Sequence, residues 1–200
     1  MDIVLATRNR KKAGEMKQII EQGIGYAVNI LTLEDFPECP EVIEDGFTFE
    51  ANAIKKALAV SKYTGLIAIA DDSGLAVDAL NGAPGVFSAR YAGEGADDAA
   101  NCEKLLRDMQ EMPDERRNAR FVCCIAIVLL GSVKTFSGYV SGKIGTALRG
   151  EKGFGYDPLF FPEGNDRTFA EMSGEEKNSM SHRGRALGEL QEYLKEKGLM

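Results

Sequence analysis

The chain has 200 residues, 44% of them hydrophobic and 28% charged, with a net charge of -7. At this length about 70% of the unfolded surface is buried on folding, so one domain stands without disulfides or metal staples. The acidic balance argues against a nucleic-acid partner, which needs a basic face, and the longest apolar run, Val122 to Leu130, is about half of the ~20 residues that span a membrane.

Asp2 to Ala6 is rich in strand formers and leads into the basic run Thr7 to Lys12, after which Met16, Ile19 and Ile20 recur at helical spacing. Tyr26 to Thr32 reads as a second strand, and Leu33 to Glu50, with Pro37, Pro40 and seven carboxylates, reads as a loop. Thr48 is a candidate N-cap for a helix that buries Ile54, Ala57 and Leu58 and ends near Gly65. Leu66 to Ala70 is a buried strand whose end carries Asp71-Asp72-Ser73-Gly74. Asn81 to Gly85 is turn-rich, and Cys102, Leu105, Leu106 and Met109 mark an amphipathic helix with Asp97 and Asp98 in its first turn. Phe121 to Leu130 and Val133 to Val140 flank Gly131-Ser132 as a tight hairpin, which sets the adjacent Cys123 and Cys124 on opposite strand faces. Pro158 to Phe161 is a short strand, Ser173 to Glu176 has the S-x-x-E capping pattern, and the final helix aligns Arg183, Leu187, Leu190 and Leu194 before Gly198. Helices alternating with strands, then a hairpin, give an α/β fold with a mixed sheet. The four cysteines, Cys39, Cys102, Cys123 and Cys124, lack CxxC spacing, and no charged-then-apolar leader opens the sequence; a reduced, cytoplasmic protein is expected.

Four segments carry residue types suited to chemistry. Arg8, Arg10, Lys11 and Lys12 sit where a helix begins, although a helix N-terminus favours anions. Either the loop is a solvated basic surface or a phosphate chain answers it, with Thr7 and Asn9 supplying donors in place of an absent Walker A glycine loop. Asp71 and Asp72 point to opposite strand faces, so one of them at most serves a given site. With the acidic loop (Glu41, Glu44, Asp45) that one builds an oxygen-rich magnesium site, or else Asp-Ser-Gly is a turn. The loop Gly153 to Pro158 offers Phe154 or Tyr156 to a flat ring, or to hairpin packing. Lys177, His182 and Arg183 are donors that match a purine 6-oxo group and mismatch a 6-amino group, or they form a surface cluster with Arg183 lying over the core. His182 is the one histidine, so any resident metal is held mainly by carboxylates.

The segments LATRNRKKAGEM, EDGFTFEANAIKKA, ADDSGLAVDALNGAPGVFSARYAG, GFGYDPLFF and EEKNSMSHRGRAL, in this order, closely resemble the inosine triphosphate pyrophosphatase family across essentially the whole chain. The resemblance implies a single domain over residues 1–200, with a long curved mixed β-sheet between two α/β lobes, the active site in the cleft, and a homodimer. It also implies hydrolysis of deaminated purine nucleoside triphosphates (ITP, dITP, XTP) to monophosphate and pyrophosphate with Mg2+ as cofactor. Carried over by position, Thr7, Arg8, Asn9, Arg10, Lys11 and Lys12 would hold the triphosphate, Glu44 and Asp72 the magnesium, and Asp72 would accept the proton of the attacking water. Ser73 would lie beside the substrate, and Phe154, Gly155, Tyr156, Asp157, Lys177, His182 and Arg183 would form the base pocket. Arg8 replaces a glycine common in the family, and Ala51 stands where some members carry a second acid, which cautions against a catalytic role for Glu50. An aspartyl-phosphate route through Asp72 lacks the usual DxD pattern, and a binding module without turnover is the non-enzymatic rival.

Overall fold

Alternating apolar residues decide how the strands sit, and the computed structural model, which describes residues 1–24 and 28–199, orders them as β2-β1-β3-β4-β5-β6 in one six-stranded sheet. These are β1 (Asp2–Leu5), β2 (Asn29–Thr32), β3 (Ile67–Val77), β4 (Asn118–Leu129), β5 (Ser132–Ile144) and β6 (Phe160–Pro162). β1 pairs in parallel with β2 and β3, while β5 and β6 are antiparallel, so the sheet is mixed and the fold is α/β as expected. Among the described residues five α-helices accompany it: α1 (Arg10–Ile24), α2 (Phe49–Thr64), α3 (Asp98–Asp108), α4 (Gly174–Met180) and α5 (His182–Glu196). Of the strand expected from Tyr26, Tyr26 and Ala27 lie outside the described residues. Among the described residues no helix is long and apolar enough to cross a membrane.

The chain divides into two compact units. The first comprises Met1–Asp72, Cys123–Gly138 and Arg183–Met200; the second comprises Ser73–Val122 and Tyr139–His182. In the first unit, successive strand residues feed two different cores, as a two-residue period requires. Ile3, Leu5, Ile69, Cys123, Ile125 and Ile127 pack with Met16 and Ile20 of α1 and with Leu187 and Leu190 of α5. Val4, Ala6, Ala68, Ala70, Cys124 and Ala126 pack with Ala53, Ala57 and Val60 of α2. Cys123 and Cys124 therefore occupy opposite faces and are free thiols.

The second unit has its own core of Leu75, Val77, Leu105, Phe121, Val140, Phe160 and Phe169. Its buried Arg117 ties the chain together by donating to carbonyls of Met109, Ile144 and Gly145 at 2.8, 2.7 and 2.6 Å. Gly74 permits a close approach: a Cβ there would fall 2.3 Å from Ser88 Oγ and 2.6 Å from the Gly85 carbonyl oxygen.

Several local expectations shift. β3 does not end before the carboxylates but runs through Asp71-Asp72-Ser73-Gly74 to Val77, because both acids meet cations and no turn is needed to reach water. The hairpin turns at Leu130-Gly131, both at positive φ (48° and 78°), one residue earlier than the glycine-serine pair suggests. β6 is offset toward Pro162. Thr48 and Gly65 do cap α2, but Leu58 is exposed and the buried stripe includes Asn52 and Lys56 instead. The S-x-x-E box opens a separate short helix, α4, which ends at extended Ser181 (φ -69°, ψ 159°) just before α5.

Candidate active site

The basic turn begins where β1 ends. Thr7 Oγ1 accepts from the Asn9 amide at 3.2 Å, and Asn9 Oδ1 accepts from the Lys12 amide at 3.0 Å, which caps α1. Arg8 donates to the Cys39 carbonyl, and Arg10 pairs with Glu34 at 2.6 Å on the surface. With Thr7, Lys17 and Thr32 they line a cavity of about 600 Å³. Lys11 is exposed, and Lys12 is the one that reaches inward, with its Nζ 3.5 Å from Asp71 Oδ1.

The two strand carboxylates are served by different helices, Asp71 by α1 and α5 and Asp72 by α2. On the α1 and α5 face, Asp71 is fully buried; its Oδ2 accepts from Arg183 Nε and Nη2 at 3.3 and 2.9 Å, and Arg183 Nη1 reaches Glu15. Burial would raise the Asp71 pKa, but Lys12, Arg183 and Lys56 together outweigh it and hold the carboxyl well below the ordinary range. On the α2 face, Asp72 Oδ2 accepts from Asn52 Nδ2 at 3.0 Å, and Lys56 Nζ lies 3.5 Å from Asp72 Oδ1 and 2.9 Å from Glu44 Oε1. Burial pushes the Asp72 carboxyl above its usual value despite the opposing charges of Lys56 and Lys12. The Lys56 ammonium rises above its usual range because Asp72, Asp71 and Glu44 surround it, although burial acts the other way.

Of the acidic loop, only Glu44 joins this group; Asp45 pairs with Lys55 at 2.6 Å on the surface, and Glu41 is exposed. Glu50 accepts from Thr135 Oγ1 at 2.7 Å, on the strand side, in keeping with the caution over that residue. Among the described residues no group of three or more His, Cys, Asp or Glu converges on a metal position. Glu44 and Asp72 are two hard oxygen donors that share one cation, Lys56, a donor set that fits magnesium.

The second unit holds the remaining candidates. Ser73 follows Asp72 in β3 and is partly exposed. Asp157 Oδ2 accepts from the Phe154 amide at 2.9 Å and from the buried Lys177 Nζ, whose ammonium sits 4.7 Å from the Phe154 ring centroid and 5.7 Å from that of Phe169. Gly153 makes room for this: at φ 74° it adopts a left-handed turn, and a Cβ would fall 2.1 Å from Asp157 Oδ2. Gly155 also has positive φ, and its carbonyl faces the buried Cys102 thiol at 3.3 Å.

Three residues expected in the base pocket are buried against protein groups. Tyr156 is not a presented ring: it fills the core and donates its hydroxyl to the Ser88 carbonyl at 2.8 Å. His182 is buried and stacks on Phe121, with centroids 4.8 Å apart and planes 8° apart. Arg183 is 1% exposed and engaged by Asp71 and Glu15, since a desolvated guanidinium needs carboxylate acceptors.

Sequence reasoning missed Lys56, Asn52 and Glu15. Asn52 and Lys56 are four residues apart on one helical face and flank the Ala53, Ala57 and Val60 stripe; polar residues on a buried face were the available signal. Glu15 carried no such mark.

The sequence model of the Ham1 family matches residues 3–193. A protein of Geobacter sulfurreducens named dITP/XTP pyrophosphatase is 52% identical over 98% of both chains. One of the same name from Desulfotalea psychrophila is 53% identical over 94% of this chain and 82% of its own. The solved HAM1 protein of Coxiella burnetii superposes with a TM-score of 0.88 at 42% identity, covering 98% of this chain and 99% of that one. Agreement over nearly every residue, in sequence and in backbone, makes this chain a member of the Ham1 family.

Proposed function

We propose that this protein hydrolyses deaminated purine nucleoside triphosphates (ITP, dITP, XTP) to the nucleoside monophosphate and pyrophosphate. The observation that carries this reading is the meeting of Glu44, Lys56 and Asp72 in the first unit of a chain about half identical to proteins named for dITP/XTP pyrophosphatase activity. Water attacks the α-phosphorus, its oxygen forms the new P–O bond, the bond to the β-phosphate oxygen breaks, and the proton goes to Asp72. Burial makes Asp72 a stronger base than an exposed carboxylate, while Lys56 keeps it ionised and Asn52 fixes its orientation. Magnesium, held by Glu44 and Asp72, would supply positive charge to the phosphate oxygens and acidify a bound water.

Lys12 and the first turn of α1 offset the charge of the departing pyrophosphate. In the second unit, Phe154 offers a ring to the base, and Lys177, oriented by Asp157, is the donor suited to a 6-oxo group. A cytoplasmic homodimer belongs to the same proposal. The test is to incubate the protein with magnesium and ITP, XTP, GTP or ATP and identify the products by chromatography. Monophosphate and pyrophosphate from ITP and XTP are expected; diphosphate and orthophosphate would overturn the placement of the triphosphate.

A further inference from the structure

Resting on that reading of the basic turn as the phosphate site, we propose that Asp71 is a positioning residue that fixes Lys12, and with it the first turns of α1, for phosphate binding. Asp71 and Asp72 are neighbours in β3 with different close partners, Arg183 and Lys12 for Asp71, Asn52 and Lys56 for Asp72, and the Lys56 charge is felt by both. The geometry at Asp71 is directional. Arg183 grips Oδ2 with Nε and Nη2 at 3.3 and 2.9 Å, and this two-point hold turns Oδ1 toward Lys12 Nζ at 3.5 Å. The third nitrogen of the same guanidinium, Nη1, goes to Glu15, which is on α1 three residues after Lys12. α1 is thus tied to Asp71 at two points, through Lys12 directly and through Glu15 by way of Arg183.

Lys12 is held at its other end too, since its backbone amide donates to Asn9 Oδ1 at 3.0 Å. A lysine has a flexible four-carbon stem, and a counter-ion beneath the ammonium limits the rotamers it must give up on meeting a phosphate chain. Arg183 in this arrangement acts through Asp71 and Glu15.

Electrostatics and positioning predict opposite signs for Asp71→Asn. If Asp71 only neutralised Lys12, removing its charge would tighten binding of an anion. If it positions Lys12, binding weakens. Calorimetry with inorganic tripolyphosphate as the probe, on the full chain, is expected to show about tenfold weaker binding for Asp71→Asn, with the Lys12→Met loss not deepened in the double variant. Steady-state kinetics with XTP should show the loss in KM, with kcat within about threefold. Unchanged or tighter tripolyphosphate binding, or additive losses in the double variant, would overturn the proposal. Asp71→Glu guards against misfolding, because it retains a charge for Arg183 while displacing the carboxylate by one methylene: weaker binding supports the proposal and unaltered binding counts against it. A wild-type protein that binds tripolyphosphate yet never turns over XTP would sink the enzymatic reading alone, and the binding comparison would still decide the role of Asp71.

Discussion

The two units solve the burial of polar groups in different ways. In the first, four carboxylates (Glu15, Glu44, Asp71, Asp72) meet three cations (Lys12, Lys56, Arg183) on the two faces of β3, one face answered by α1 and α5 and the other by α2. In the second, the buried pair Asp157 and Lys177 sits beside the rings of Phe154 and Phe169, Phe121 stacks on His182, and the buried Arg117 is answered by backbone carbonyls. The first arrangement is one excess negative charge with lysines poised around it, which suits a metal and a phosphate chain. The second is one cation over aromatic faces, which suits a flat, acceptor-bearing ring. In the proposed reading, charge sorts the chemistry of one unit, and shape with the Lys177 donor sorts that of the other.

The largest expected effect tests the first unit. Asp72→Asn should lower kcat by about a hundredfold to ten-thousandfold, the range of a lost general base, with the fold retained by near-ultraviolet circular dichroism. Near-normal turnover would remove Asp72 from the chemistry and blur the contrast between the units.

The second unit should respond in stability first. Lys177→Met leaves Asp157 buried without its main cation and should cost about 3–5 kcal/mol in urea unfolding, whereas Lys177→Met with Asp157→Asn should cost less, because no uncompensated charge remains. A loss in the double variant equal to the sum of the losses of Lys177→Met and Asp157→Asn would mean that the pair is not coupled.

Selectivity sharpens the division further. Phe154→Ala should raise KM for XTP about tenfold through lost stacking, while leaving tripolyphosphate binding unaltered. A parallel loss of tripolyphosphate binding would show that the phosphate and base functions are not separable by unit.

The smallest effect is an acid limb confined to α4. Glu176 is held down to about 2 by the hydrogen bond from Arg167 and by the Ser173 amide of the capping box. A carboxyl whose folded pKa is depressed contributes stability above its unfolded value near 4.5, and that contribution is lost as pH falls toward about 2. Amide exchange in α4 should therefore quicken over that window, relative to the exchange expected for pH alone, and Glu176→Gln should remove the quickening without touching α5.

Much of the first unit was legible in the sequence because its signals are local. The apolar periods of β1, α1 and β4, the Thr48 and Gly65 caps, and the opposite faces of Cys123 and Cys124 all follow from residue spacing and were found as expected. The basic turn and the adjacent acids likewise stood out against an acidic composition. The continuation of β3 through Asp71 and Asp72 was not legible, since two acids before Ser-Gly read as a turn unless their cations are known, and those cations come from Lys12, Lys56 and Arg183, far away in sequence.

Core packing was one of two readings open for Tyr156 and Arg183, and the partners of Tyr156, His182 and Arg183 were hidden for the same reason. A ring or a guanidinium looks alike in sequence whether it awaits a ligand or packs on Ser88, Phe121 or Asp71. What the sequence determined by itself was the order of elements, the residue types available for phosphate, metal and base, and the family. The tertiary structure decided which of these polar groups are committed to one another, because burial and pairing depend on contacts that no local period encodes.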